Sequence, residues 1–379
     1  MNILYISNSV IPSQKANSVH VMKMCQAYRK KNNSVILLAK TRNKENNPDD
    51  INRFYSIDNP FSLKLSYLMH APFYSIIISL TSFALYTLKN PRYFDLIHSR
   101  NRHTSFILTL FRVNHIYEIH NLSSNKIQLF FDSIIFKSKR NRIIAISNIL
   151  KQDLIKFFKI DQSKIVVLHD GADIIDYTKV PAADIHGNLK FNIGYTGSFI
   201  EGKGVDIICK AAENLKDIGF HIIGGNMEDI NKYKQKFAYS NLFFYGHKPH
   251  SELKSYLKSF NANILPNKKD VLVGKTENIG KYTSPLKLFE YMSVNKPIIL
   301  SNLDTFREVI TQDEGIFFKC DDINNLIKRI EYLIANYETI TESLHLDIKL
   351  LNEYSWDVRV NCILSLLFDM GDKNDPGSS

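Results

Sequence analysis

The sequence predicts an α/β fold built from two doubly wound domains in tandem, and three observations predict it. Apolar runs of strand length alternate with segments of helical period along most of the chain. That alternation is the mark of parallel sheets covered on both faces by helices. The alternation breaks once, at Pro181–Lys190 (PAADIHGNLK), where Pro, Gly and polar residues mark a linker, and then starts again. A chain of 379 residues is long enough for two separate cores.

The first half opens with a strand at Asn2–Ser7. A helix follows from about Ser18, where Val21, Met24, Cys25 and Tyr28 recur at i, i+3, i+4 and i+7. Ser34–Lys40 reads as the second strand, and Leu96-Ile97-His98, Ile116–His120, Ile143–Ile146 and Ile165–Leu168 as later ones. Beyond the linker, Phe191–Gly197 is a strand and Val205–Leu215 a helix with Val205, Ile208, Ala212 and Leu215 on one side. Phe220–Gly224, Leu242–Gly246, Ala262–Pro266 and Pro297–Ser301 are strands; Glu252–Ser259 and a segment from Ser284 are helices. The expected domains are 1–183 and 184–352, then a C-terminal helix over 353–370 and a disordered tail over 371–379.

Bulk composition narrows the class. A 44% hydrophobic and 23% charged chain is ordinary for a globular protein. Met1 runs directly into an apolar strand, so no secretory leader is expected, and Cys25, Cys209, Cys320 and Cys362 are too scattered for a disulfide scaffold or zinc site and read as reduced core thiols. The expected location is cytoplasmic. Residues 1–185 hold 25 Lys/Arg against 13 Asp/Glu, and residues 186–379 hold 23 against 25, so the whole positive excess lies in the first half. That half is drawn to polyanions, including an anionic membrane surface. The uncharged stretch Leu65–Leu88 is long enough to span a bilayer, but His70, Pro72 and many hydroxyl residues argue for a buried or interfacial helix.

Two segments carry chemistry. In Tyr282–Pro297 (YTSPLKLFEYMSVNKP), Ser284 is placed to N-cap a helix with Pro285 at its first position. The amides of Leu286 and Lys287 then form an anion site to which Lys287 adds a full charge. Glu290 lies on the same face as Leu286, set back to accept both hydrogen bonds of a ribose diol. In Gly194–Gly204 (GYTGSFIEGKG), a glycine-rich turn joins a strand to a helix and carries Lys203. Gly204 stands where a Walker motif needs a hydroxyl, which argues against an NTPase.

Together these segments resemble the retaining glycosyltransferases of family 4, which have the GT-B fold of two Rossmann-like domains facing a central cleft, with a C-terminal helix crossing back to the first domain. The resemblance implies that Gly197, Ser198, Lys203 and Gly204 bind the donor diphosphate, that Ser284, Pro285, Leu286 and Lys287 contact the diphosphate and transferred sugar, and that Glu290 holds the donor ribose. The first Glu of the family's E-x7-E motif falls at Tyr282, and its usual basic residue after the first glycine is Ser198, with Lys287 as the substitute. In the first half, Ile116–His120 (IYEIH), Ile143–Ser147 and His169–Asp173 follow the family's order, which gives His120 a catalytic role near the transferred sugar. The family's glycine pair after the first strand is absent from Ile11–Ser18. Tyr354–Leu367, with Trp356, resembles the helix that crosses back.

The resemblance implies metal-independent transfer from a nucleotide-diphosphate sugar, UDP- before GDP-, to a glycan or lipid-linked acceptor in cell-surface polysaccharide biosynthesis. No cofactor is expected beyond that substrate, and no nucleic-acid partner. Gly224, His247 and Lys248 are the residues placed nearest the base. The rival readings are a GT-B nucleotide-sugar epimerase and a nucleic-acid-binding protein; the second lacks aromatic RNP patterns, zinc spacing and a basic helix.

Overall fold

The structure, a computed structural model, describes residues 1–67, 83–89, 93–187, 189–273, 277–278, 280–282 and 284–371. The chain folds into two units, Met1–Asp170 with Trp356 onward, and Gly171–Ser355.

The first unit is built on β1 (Asn2–Val10), β2 (Ser34–Thr41), β3 (Ser62–Tyr67), β4 (Leu96–Ser99), β5 (His115–Ile119), β6 (Asn141–Ala145) and β7 (Ile165–Val167). They form one parallel sheet in the order β3-β2-β1-β4-β5-β6-β7. In β1, Ile3, Leu4, Tyr5 and Ile6 are all inaccessible, as a strand covered on both faces must be. The helix Ala16–Lys30 packs on β1 and β2 with Val21, Met24, Cys25 and Tyr28 buried, the stripe its spacing predicts. Trp356–Gly371 packs against that helix and so belongs to the first unit, the return the resemblance implies.

The second unit repeats the plan with β8 (Phe191–Thr196), β9 (Ile218–Ile223), β10 (Leu242–Gly246) and β11 (Ala262–Leu265), a two-stranded antiparallel pair β12 (Leu272–Val273) and β13 (Glu277–Asn278), and β14 (Ile298–Ser301) and β15 (Ile316–Phe318). The main sheet runs β10-β9-β8-β11-β14-β15, all parallel. In each sheet the strand order reverses beside the first strand, at β1/β4 and at β8/β11. Ligands of doubly wound sheets bind outside the carboxyl ends of the strands at such a reversal.

The observed division falls at 170/171 and 355/356, not at the predicted 183/184 and 352/353. The reason is local. Lys258 donates to the carbonyls of Tyr177 (2.7 Å) and Val180 (2.6 Å), and the Ala183 amide bonds Ser255, so the chain after Gly171 is already tied to the helix His250–Ser259 of the second unit. The polar residues 181–187 are therefore a surface segment of that unit. Two of the four cysteines, Cys25 and Cys209, are buried; Cys320 is half-buried and Cys362 exposed, which corrects the reading of all four as core thiols. Most of Leu65–Leu88 lies outside the described residues, and no described helix is long and apolar enough to cross a membrane. The predicted tail lies outside them from residue 372 on.

Candidate functional site

In the second unit the carboxyl ends of β8, β9 and β10 each run into a glycine. The Gly197 amide bonds the Ile223 carbonyl and the Gly224 amide the Gly246 carbonyl, both at 2.7 Å. A Cβ on Gly224 would lie 1.9 Å from the Gly197 oxygen, and Gly224 has φ +122°, so only glycine closes this edge. Gly204 caps the helix Val205–Asn214 in a left-handed conformation, close against the Pro266 carbonyl at the end of β11. The glycine turn therefore bridges the two strands of the reversal.

Lys287 reaches over this edge from the helix Leu286–Ser293. Its Nζ donates to the Tyr195 hydroxyl at 3.1 Å and stands 4.5 Å from the centre of that ring. The Tyr195 hydroxyl in turn donates to the Ser198 carbonyl at 3.0 Å, which holds the start of the turn. From the same helix, the Tyr291 hydroxyl accepts the Thr196 amide at 2.8 Å. Helix and strand end are thus joined at two points one helical turn apart. Burial, with Lys203 as the next cause, lowers the Lys287 ammonium to about 7, and burial lowers Lys203 as well. Two half-buried cations that repel each other are costly alone and are relieved by an anion.

The helix begins one residue later than predicted. Pro285, with ψ 119°, is still extended and occupies the N-cap position, with no side-chain cap bond, and the first turn closes from the Leu288 amide to the Pro285 carbonyl at 2.9 Å. Ser284 is therefore not the N-cap. The shift leaves the Leu286 and Lys287 amides within the first turn, where a helix has no acceptors of its own. Leu286 is buried and Tyr282 is buried in a 3-10 turn at 280–282.

Glu290 is 3.0 Å from His250 Nε2, a pairing that sequence spacing did not suggest. His250 opens the helix His250–Ser259 just after β10, so its position at the carboxyl edge was a readable signal. Ser198 and His247 are exposed, and Lys248 turns toward the helix that follows it, 3.9 Å from Glu252 and over the Tyr256 ring. Lys248 is thus not brought to the glycine edge as Lys287 is.

In the first unit, His120 follows β5 and is the most accessible member of a buried charge cluster. Glu118 is inaccessible and meets Arg359 (2.9 Å), His120 (2.9 Å), His98 (3.1 Å), Arg100 (3.2 Å) and His20 (3.3 Å). Burial alone would raise its pKa, but Arg359 and Arg100 hold the carboxyl well below the usual range. Burial, then Arg100, lowers His120 below the ordinary histidine range, and its Nε2 lies 2.6 Å from an Arg100 nitrogen and 2.9 Å from the Glu118 carboxylate. His20 also bonds Asp170 at 2.8 Å and packs edge-on to Trp356 at 5.1 Å. Arg359 donates to the carbonyls of Leu168 and His169. Sequence reasoning found His120 but missed Glu118 and Arg100, at the ends of apolar strands, and Arg359, on the helix Trp356–Gly371, because only the fold brings these charges together. Among the described residues no cluster of His, Cys, Asp and Glu is arranged to hold a metal ion.

Two doubly wound units in tandem, each with its strand order reversing beside the first strand, are the architecture of the GT-B glycosyltransferases. Family comparison makes the assignment particular. The model for glycosyl transferases group 1 matches residues 186–343 and that for glycosyltransferase family 4 matches residues 18–175, and the chain belongs to that family. No curated protein sequence matches it. Among solved structures it is similar to a glycosyltransferase from Rickettsia africae (16% identity, TM-score 0.74, 99% of each chain covered) and to sucrose-phosphate synthase from Thermosynechococcus elongatus (14%, 0.72, 98% of this chain and 100% of that one). It is also similar to the Anabaena protein HepE in complex with UDP and glucose (13%, 0.70, 96% and 98%).

Proposed function

We propose that this glycosyltransferase moves a sugar from a nucleotide-diphosphate donor, a UDP-sugar before a GDP-sugar, to a glycan or lipid-linked acceptor with retention of anomeric configuration, in cell-surface polysaccharide biosynthesis. The observation that carries the reading is the pair Lys203 and Lys287 at the glycine-lined edge of β8–β10, with Lys287 supplied by the helix that also carries Glu290. Breaking the bond between sugar and diphosphate leaves negative charge on the departing oxygens. Two ammonium groups and the first-turn amides of Leu286 and Lys287 are preorganised for that charge; one such donor is typically worth about 3–4 kcal/mol to a transition state. The metal-independent reading draws on the same two cations. Glu290 accepts the ribose hydroxyls, with His250 orienting its carboxylate. His120, set beside Arg100 and Glu118, serves as a hydrogen-bonding partner for a sugar hydroxyl. UDP is favoured because HepE, similar in fold, was solved with UDP and glucose.

The test is product analysis. Incubation with UDP-glucose and related donors, with and without glycan acceptors, is followed by proton NMR of the new linkage. An α-linked product from an α-linked donor supports the reading. A β-linked product contradicts retention, and an epimerised sugar released without acceptor assigns the epimerase activity instead.

A further inference from the structure

In the first unit, the helices Arg102–Leu110 and Lys126–Lys137 pack together and present large apolar side chains outward. Both helices are well made. Asn101 caps the first through the Thr104 amide, and Asn125 caps the second through the amides of Ile127 and Gln128. Arg102 clamps them from beneath, with Nε 2.8 Å from Asp132 and Nη1 2.8 Å from Gln128. Phe106 stacks on Phe131 at 4.2 Å and lies 6.3 Å from Phe130. Above this aromatic platform, Ile127 is 65% exposed and Phe130 57%; at the end of the first helix, Leu110 is 57% and Phe111 64% exposed. Arg140 reaches Asn114 at 3.4 Å, which sets the run 137–140 beside the turn holding Phe111 and Arg112.

The charge around these residues has one sign. Residues 102–142 contain seven Lys/Arg and only two Asp/Glu, and both acidic residues, Glu118 and Asp132, are buried in ion pairs. Arg112, Lys126, Lys137, Lys139 and Arg140 are exposed. Apolar side chains left in water beside a rim of unneutralised cations suit an occupant that is apolar inside and anionic at its surface. A protein partner would need an apolar patch ringed by acids, whereas a bilayer with acidic headgroups offers both everywhere. Long basic side chains at the helix ends can then lie along the apolar layer and leave their charges at headgroup level.

We propose that the outer face of the helices Arg102–Leu110 and Lys126–Lys137 docks on a bilayer containing anionic lipid, with Leu110, Phe111, Ile127 and Phe130 entering the acyl boundary. The docking rests on the preceding reading only for its purpose, which is to bring the enzyme to a membrane-held acceptor; the binding itself does not depend on the donor.

The experiment is co-sedimentation of the full chain with phosphatidylcholine vesicles, with and without about 30% phosphatidylglycerol, at two salt concentrations. The intact protein is expected to pellet with the anionic vesicles and not with the neutral ones, less so at high salt. Ile127→Ser with Phe130→Ser, and separately Lys137→Glu with Lys139→Glu, are expected to weaken binding by about tenfold or more, since a basic side chain near such a surface contributes about a fivefold factor. Both variants should keep the native melting temperature and circular dichroism, because none of the four side chains is buried. Absence of binding by the intact protein, or unchanged binding by folded variants, would overturn the proposal. So would a dimer in sedimentation velocity that Ile127→Ser with Phe130→Ser dissolves, since a second copy would then be the occupant. A failed donor reading shows separately, as no response of the intact protein to nucleotides.

Discussion

The Lys287 ammonium stands 3.1 Å from the Tyr195 hydroxyl, in the space that a side chain on Gly197 would fill. A Cβ at residue 197 would fall 1.7 Å from Nζ. The lysine and the glycine are therefore one device, since the bare backbone at 197 is what lets the cation reach the strand ends.

Replacing Gly197 by Ala should displace the lysine tip and weaken UDP binding; at φ +153° it also strains the turn, so circular dichroism and the melting temperature are measured beside the affinity. Lys287→Ala should lower the affinity about 10- to 100-fold, the equivalent of one charge-assisted hydrogen bond of about 1.5–3 kcal/mol. The double variant should be little worse than either single one, a coupling that isothermal titration in a mutant cycle reads directly. Fully additive losses would show that the two positions act apart.

Donor binding should take up protons. Burial and Lys203 hold Lys287 at about 7, and a bound diphosphate restores its ordinary basicity. Calorimetry near pH 8 in buffers of different ionisation enthalpy should show an uptake of up to one proton per UDP, absent in Lys287→Ala. In the ligand-free protein the sign is fixed as well. A lysine with a depressed folded value lets the unfolded chain bind more protons, so its contribution makes stability rise with pH from about 7 toward 10.5.

Glu290 should discriminate at the ribose. The intact enzyme is expected to prefer UDP over 2′-deoxy-UDP by about tenfold or more, and Glu290→Ala to bind both equally. His250→Ala should reduce the preference in part, because it removes only the group 3.0 Å away that orients the carboxylate. Equal preference in the variant and the intact enzyme would take Glu290 out of the site.

In the first unit, Arg359→Ala should cost up to about 3 kcal/mol, less than the full penalty for stranding a buried charge, because Arg100 still faces Glu118. Urea unfolding of the variant, with circular dichroism as the probe, measures it. Acid should weaken the same cluster. Burial, followed by the Arg100 charge, lowers His20 to about 4. The unfolded chain therefore binds the proton first, and stability is full above about pH 6.5 and declines between 6.5 and 4. The Glu118 contribution, from a depressed carboxylate, is present above its ordinary value and is lost at lower pH as it titrates. His20→Gln should flatten the decline between about pH 6.5 and 5.

The central strands were readable because a strand buried on both faces is apolar throughout, as in Ile3–Ile6 and Ile298–Leu300. The edge strands β3 and β15 were not, being short or mixed in polarity. Lys203 and Glu290 were legible through the glycine turn and the spacing of the helix. The Ser284 cap failed because Pro285 keeps its extended backbone, a choice that either of two adjacent cap registers would satisfy in sequence. Glu118 and Arg359 came from the topology alone, since they meet from opposite ends of the chain, whereas His250 carried only its place just after β10 as a signal.

The central claim is that Lys203 and Lys287 hold a nucleotide diphosphate at the carboxyl edge of β8–β10. Titration calorimetry with UDP, set beside GDP, ADP and CMP, tests it most directly. The account predicts that a nucleoside diphosphate, UDP first, binds the intact protein with a strength that Lys203→Ala and Lys287→Ala each reduce by about tenfold or more. Binding by the two folded variants as tight as that of the intact protein would contradict it.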